Sequence, residues 1–194
     1  MLHGKLFLIV GPSGSGKGTI IKEIQKKYTG FVYPVSCTTR EMREGEENGD
    51  VYHFISKDKF KKMIAEDKFL EYAVVHSDNY YGTAKDEIVQ ALESGAVVIR
   101  EVDIQGFKSI QKLVPKENLV SIFMKVGDLA DLKTRIMARS VLSEHDMEER
   151  MISAKKELAQ AGDCDYQVDN KWGAMNECLS KVEQIILNEI KDLY

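Results

Sequence analysis

The chain has 194 residues, enough for one domain with a sizeable core and too few for a second large one. Its 43% hydrophobic and 30% charged residues exclude a disordered, collagen-like or coiled-coil chain and fit a soluble globular one. A net charge of −4 argues against a general nucleic-acid binder, because affinity for a phosphate backbone needs a basic face.

Leu6 to Val10 is a short continuous apolar run ended at once by Gly11 and Pro12. It is too short for a signal-peptide core and reads as a buried strand of a parallel sheet. Gly11 to Gly18 is a loop, and from Thr19 to about Tyr28 the residues Ile20, Ile21 and Ile24 recur at helical spacing. Further strands are expected at Val32 to Cys37, Ala96 to Val102 and Leu119 to Val126, with helical patterns between and after them; the expectation is an α/β fold with a largely parallel sheet. Two stretches differ in character. Thr38 to about Lys85 holds a polar loop rich in Gly and Glu, then residues 51 to 55, a helix from about Asp58 and the run Phe69 to Val75, and reads as an inserted subdomain. Asp128 to about Gln160 is a strongly charged helical pair around Ser140 to His145 with little apolar surface to bury, as a mobile lid would be. After a strand at Asp165 to Val168, the chain closes with Asn176 to Leu193, whose Leu179, Val182, Ile186 and Ile190 form one apolar stripe.

Cys37, Cys164 and Cys178 are odd in number and far apart, so they suggest neither a metal cluster nor a disulfide framework, and a cytoplasmic location is expected. The four histidines show no ligand spacing. No stretch approaches the roughly 20 apolar residues that span a bilayer, so no membrane partner is expected.

Gly11, Pro12, Ser13, Gly14, Ser15, Gly16 and Lys17 fit the G-x-x-x-x-G-K pattern between a strand and a helix, the context in which it denotes a phosphate-binding loop. Polyphosphate oxygens must approach backbone N–H groups closely, which requires absent side chains and unusual dihedrals. The following helix adds its positive end, and Lys17 adds a full charge for the β/γ-phosphates. Gly18 stands where a hydroxyl often reaches Mg²⁺, with Thr19 only next, so direct coordination of the metal by the protein is not expected. A phosphate loop alone does not name an acceptor. Ser36 to Phe54 reads SCTTREMREGEENGDVYHF, and its Arg40, Arg43 and Tyr52 are what a second anion site would need.

Taken together, GPSGSGKGT, SCTTREMREGE, NGDVYHF, KFLEYA, NYYGT and EVDIQG resemble the guanylate kinases along nearly the whole chain and in family order. The resemblance implies a three-layer P-loop NTPase fold and the activity of an ATP:GMP phosphotransferase acting on GMP and dGMP in purine metabolism. It implies a core at 1–34, 88–127 and 161–194, a GMP-binding insertion at about 35–87 and a lid at about 128–160. Carried over to this chain, Arg40, Arg43, Tyr52 and Tyr81 hold the GMP phosphate, while Ser36, Glu71 and Thr83 read guanine. Asp103 sits near the acceptor and an Mg²⁺ held mainly by phosphates and water. Arg135, Arg139 and Arg150 serve ATP and the transferring phosphate, and Asn170 lies near the adenine ring.

The chemistry of Glu71 agrees with that role: guanine presents N1–H and its amino group side by side, which one carboxylate accepts as a pair, whereas adenine offers a lone pair there. Arg135 and Arg139, four apart, share a helix face. Tyr28 and Trp172 read as packing residues. The chain departs from the family pattern at Met42, where a proline is usual, at Ser140, where a glycine is usual, and in a longer segment at His76 to Asn79. Arg100 places a charge in a core strand, and the sequence gives no physical account of it. Two rivals keep the fold: a guanylate-kinase-like peptide-binding module, which typically loses loop glycines or the lysine, and a kinase for another nucleoside monophosphate.

Overall fold

Every residue from Leu6 to Val10 is fully buried, and the side chains alternate between two cores, as a strand covered on both faces requires. The computed structural model describes residues 1–50, 52–75, 78–139 and 143–193, without the side chains of Val75, Arg139 and Asp192. In chain order the elements are β1 (Lys5–Val10), α1 (Lys17–Lys27), β2 (Cys37–Thr38), β3 (His53–Phe54), α2 (Lys57–Ala65), β4 (Phe69–Val75), β5 (Asn79–Ala84), α3 (Lys85–Glu93), β6 (Val97–Val102), α4 (Ile104–Ile110), β7 (Leu119–Val126), α5 (Leu129–Arg139), α6 (Glu144–Leu158), β8 (Tyr166–Asn170) and α7 (Met175–Glu189). No described helix is long and apolar enough to cross a membrane.

Four strands form a wholly parallel sheet in the order β6-β1-β7-β8. Phe7 and Ile9 face Ile20 and Ile24 of α1 and Cys178, Val182 and Ile186 of α7. Leu6, Leu8 and Val10 face Ile88 and Leu92 of α3 and Phe107 and Ile110 of α4. Helices on both faces of a parallel sheet make three layers, and the phosphate loop, Asp103 and Asn170 all stand at the carboxyl ends of its strands, where ligands bind in such folds.

A second sheet, β3-β2-β5-β4, carries a small core of its own around Cys37, Phe60 and Phe69. The expected strand at Val32 to Cys37 is divided between the two sheets. Val32 bridges Val98 beside β6, whereas Cys37 pairs with His53 and Gly82 in the second sheet. Pro34 lies between them and has no N–H to give a ladder, which breaks the run.

The helical pair α5 and α6 buries more apolar surface than its charge suggests. Leu132, Ile136, Met147 and Ala154 pack together with Val126. Cys37, Cys164 and Cys178 are free and buried, and burial pushes the Cys164 and Cys178 thiols up to about 11.

Candidate active site

At the end of β1 the chain turns through the glycine loop and enters α1 with Gly16 as N-cap, in the left-handed region at φ 96°. A Cβ on Gly16 would lie 2.3 Å from Asn170 Nδ2, and one on Gly14, at φ +83°, would lie 2.9 Å from Ile136 Cγ1. Both positions therefore demand glycine for backbone conformation and for space. Pro12, Gly14 and Ser15 are buried, while Ser13 and Thr19 are exposed. Lys17 Nζ donates to the carbonyls of Gly11 at 2.6 Å and Pro12 at 3.0 Å, so the ammonium lies folded across the loop. The Ser15 hydroxyl is buried with no hydrogen-bond partner among the described residues. Bare backbone, a helix start, a cation and an orphaned hydroxyl fit a polyphosphate.

Asn170 is the last residue of β8 and is 1% exposed. Its Nδ2 donates to the Ser15 carbonyl at 2.8 Å and its Oδ1 is buried with no hydrogen-bond partner among the described residues, so the side chain braces the loop from beneath. Its own carbonyl accepts from Arg135 Nη2 at 2.8 Å, and the Arg135 guanidinium also lies 5.6 Å from the Trp172 ring. Trp172 is 61% exposed, so its reading as a packing residue is corrected. Arg150 is half-buried on α6. Among the described residues neither Arg135 nor Arg150 takes part in an ion pair with a carboxylate; the α6 pair is His145 with Glu149. The Arg139 side chain and Ser140 lie outside the described residues, as do His76 and Ser77 of the longer segment.

The second sheet gathers the other predicted residues. Arg40 pairs with Glu46 at 2.8 Å and lies over the rings of Tyr52 and Phe54, at 5.6 and 5.3 Å. Tyr52 meets Tyr81 edge-on with centroids 5.6 Å apart. Arg43 is exposed, but its backbone N–H donates to the other Glu46 oxygen at 2.8 Å. Glu46 thus holds the place an anion would take between these donors. Met42 beside them is exposed. Deeper in, Glu71 and Thr83 are cross-strand partners, and Thr83 donates its hydroxyl hydrogen to the Glu71 carboxylate. Burial pushes the Glu71 carboxyl up from its ordinary value, while the Thr83 hydrogen bond and the charge of Arg100 act the other way. Ser36 is 6% exposed and immediately precedes β2.

Asp103 directly follows β6 and caps α4 by accepting from the Gly106 N–H at 2.7 Å. Two carboxylates near it escaped the sequence reading. Glu101 brings an oxygen to 3.4 Å from where a Cβ on Gly18 would be. Glu157 of α6 accepts from the Ser153 hydroxyl at 3.4 Å, and its other oxygen is buried with no partner among the described residues; burial, its largest influence, pushes its carboxyl up, Lys17 pulls it down and Asp103 pushes it further up. One signal for Glu157 was present, since it lies seven residues after Arg150, hence on the same helix face. No group of three His, Cys, Asp or Glu that could hold a metal occurs among the described residues. Separate carboxylates beside a phosphate loop fit an Mg²⁺ carried mostly by phosphate and water.

The model of the guanylate kinase family matches residues 3–189. The chain belongs to the guanylate kinase family. It is 41% identical over 186 residues to the guanylate kinase of Clostridioides difficile, covering 96% of this chain and 88% of that one. It is 38% identical over 188 residues to the guanylate kinase of Helicobacter pylori, covering 97% and 87%. The crystal structure of guanylate kinase from Anaplasma phagocytophilum shares the fold, with a TM-score of 0.74 at 22% identity, over 97% of this chain and 87% of that one.

For this guanylate kinase family member, Asn170→Ala removes the side-chain brace of the phosphate loop. We expect a loss of about 1–2 kcal/mol in stability and weaker ATP binding with GMP binding little altered. Urea denaturation and calorimetry check this, and an unchanged denaturation midpoint with unchanged ATP affinity would show that the contact carries no load.

Proposed function

We propose that the chain transfers the γ-phosphate of ATP to GMP, and to dGMP, as a cytoplasmic enzyme of purine metabolism. The observation that carries this reading is the half-buried Glu71 beside the fully buried Thr83, on a sheet separate from the phosphate loop. A carboxylate partly withdrawn from water and aimed by a hydroxyl is suited to a ligand that supplies donors, and the N1–H and amino group of guanine are two adjacent donors. The three free, buried cysteines support a reducing compartment.

In this reading, residues at about 35–87 form the GMP-binding insertion, those at about 128–160 the lid, and the rest the core. Gly11 to Thr19 cradle the ATP phosphates, with backbone N–H groups and the start of α1 facing the anion. The GMP phosphate takes the place of Glu46 beside Arg40 and Arg43, with the hydroxyls of Tyr52 and Tyr81 as neutral donors. Ser36, Glu71 and Thr83 read the base. Closure of α5 and α6 then brings Arg135, Arg139 and Arg150 toward the transferring group and excludes water. The chain performs no covalent step of its own. It aligns the acceptor oxygen with the γ-phosphorus and holds cations, Lys17 among them, where charge develops. Mg²⁺, when bound, neutralises charge on the phosphates; Asp103 and Glu101 lie where they could hold its waters.

A coupled assay with ATP and a set of monophosphates tests the reading. We expect rapid ADP release with GMP and dGMP and little with AMP or UMP; no turnover of any monophosphate would favour a peptide-binding module.

Glu71→Gln presents an amide donor to one of guanine's two donors. We expect kcat/KM for GMP to fall by roughly 100-fold or more with KM for ATP nearly unchanged, and wild-type kinetics in this variant would remove Glu71 from the site.

The same carboxyl gives a pH test. Its value is raised by burial, and only the ionised form accepts both donors, so GMP affinity should weaken as pH falls through that raised value. Calorimetric titration of wild type against Glu71→Gln isolates this loss, which should be absent in the variant; parallel pH profiles would reject it.

A further inference from the structure

Arg100 sits half-buried inside β6, where Val97, Val98, Ile99 and Val102 are apolar core and the adjacent Glu101 is exposed. Its Nη1 donates to the Pro34 carbonyl at 2.8 Å, and its Nη2 donates to the Ser36 hydroxyl oxygen. Its Nε is buried with no hydrogen-bond partner among the described residues. A leucine or methionine would fill the same length of strand without leaving a buried donor unpaired, so space-filling does not account for the residue.

A serine hydroxyl is ambivalent: it can donate its one hydrogen or accept on either lone pair, and it rotates to suit its partner. A guanidinium can only donate. With Arg100 occupying a lone pair of Ser36 Oγ, the hydroxyl hydrogen must turn away from Arg100, and among the described residues no protein acceptor takes it. Across the same sheet the opposite happens to Thr83. Its hydrogen is spent on Glu71, which leaves its lone pairs for an incoming donor. One hydroxyl is fixed as a donor and the other as an acceptor.

We propose that Arg100 is a specificity-determining positioning residue, which orients the Ser36 hydroxyl as a fixed donor toward a purine 6-oxo group and against a 6-amino group. This rests on the reading of Ser36, Glu71 and Thr83 as the base site. It extends that reading to the 6-position, where guanine carries an acceptor and adenine a donor. Arg100 touches no substrate atom in this account; it acts through Ser36. Its charge also bears on Glu71, whose two acceptor oxygens face the other edge of the same base.

The test compares GMP with 2,6-diaminopurine riboside 5′-monophosphate, which carries an amino group in place of the 6-oxo group and a bare N1 in place of N1–H; the second difference faces Glu71 in wild type and variant alike. In Arg100→Leu, Ser36 can turn and accept. We expect the kcat/KM ratio of GMP to the diamino analogue to fall on the order of tenfold or more, with the change on the GMP side in KM more than in kcat. Arg100→Lys keeps a single donor and should restore most of the ratio. In a Ser36→Ala background, Arg100→Leu should shift the ratio no further, because the group it orients is gone. A merely structural role would lower both substrates by one factor and leave the ratio where it was; that result overturns the proposal. Should Arg100→Leu fail to fold, Arg100→Met takes its place, and an unmoved ratio in Ser36→Ala, which loses the same fixed donor, also overturns the proposal. Glu71→Gln separates the two layers. If Glu71→Gln leaves base preference intact, the base-site reading itself fails, whereas lost preference in Glu71→Gln with an unmoved ratio in Arg100→Leu refutes only the role of Arg100.

Discussion

A loop that binds phosphate through bare backbone has no side chains of its own with which to hold its shape, so the shape must be imposed from outside. Here Asn170 supports Ser15 from below, and Leu132 and Ile136 of α5 close on Gly14 from the side. The two glycines are the complement of those supports, since a Cβ at either would collide with what holds the loop. The Asn170 backbone carbonyl also accepts from Arg135, so the strand end that braces the loop is also hydrogen-bonded to α5. Loop, strand end and helix are linked through one residue.

The second sheet solves a different electrostatic problem. In the proposed reading it receives a dianionic phosphate at its rim and an uncharged base further in. At the rim, Glu46 bridges Arg40 and the Arg43 N–H, which spares the cation an unpaired wait near two aromatic rings. Further in, Arg100 donates to the Ser36 hydroxyl and Thr83 donates to Glu71. On the proposed reading, selectivity between purines comes from leaving mismatched polar groups buried and unpaired, a penalty larger than any single favourable contact.

Much of this was legible in the sequence where one period dominates. After Lys5, β1 is a continuous apolar run and β7 is largely apolar, α1 repeats isoleucine at helical spacing, and the glycine loop between strand and helix carries its own chemical signature. Legibility failed where a residue type serves two environments. Val32 to Cys37 has the composition of one strand, yet Pro34 divides it between two sheets. Trp172 looked like core and is exposed, because an aromatic side chain does not announce what covers it. The charged surface of α5 and α6 hid Leu132, Ile136, Met147 and Ala154, which form a narrow apolar seam. Glu157 and Asn170 owe their surroundings to partners distant in the chain, Lys17 and Asp103 for one and Ser15 for the other. Arg100 was visible as an anomaly, and only the fold shows that Pro34 and Ser36 are what it meets.

The three cysteines have a consequence for chemical durability. With the Cys164 and Cys178 thiols pushed up to about 11, thiolate, the form that reacts, is scarce at both at neutral pH. These buried thiols therefore resist alkylating reagents while the chain is folded. Uptake of such a reagent at these positions reports opening of the fold around them, so native thiols serve as internal clocks of unfolding without any engineered label.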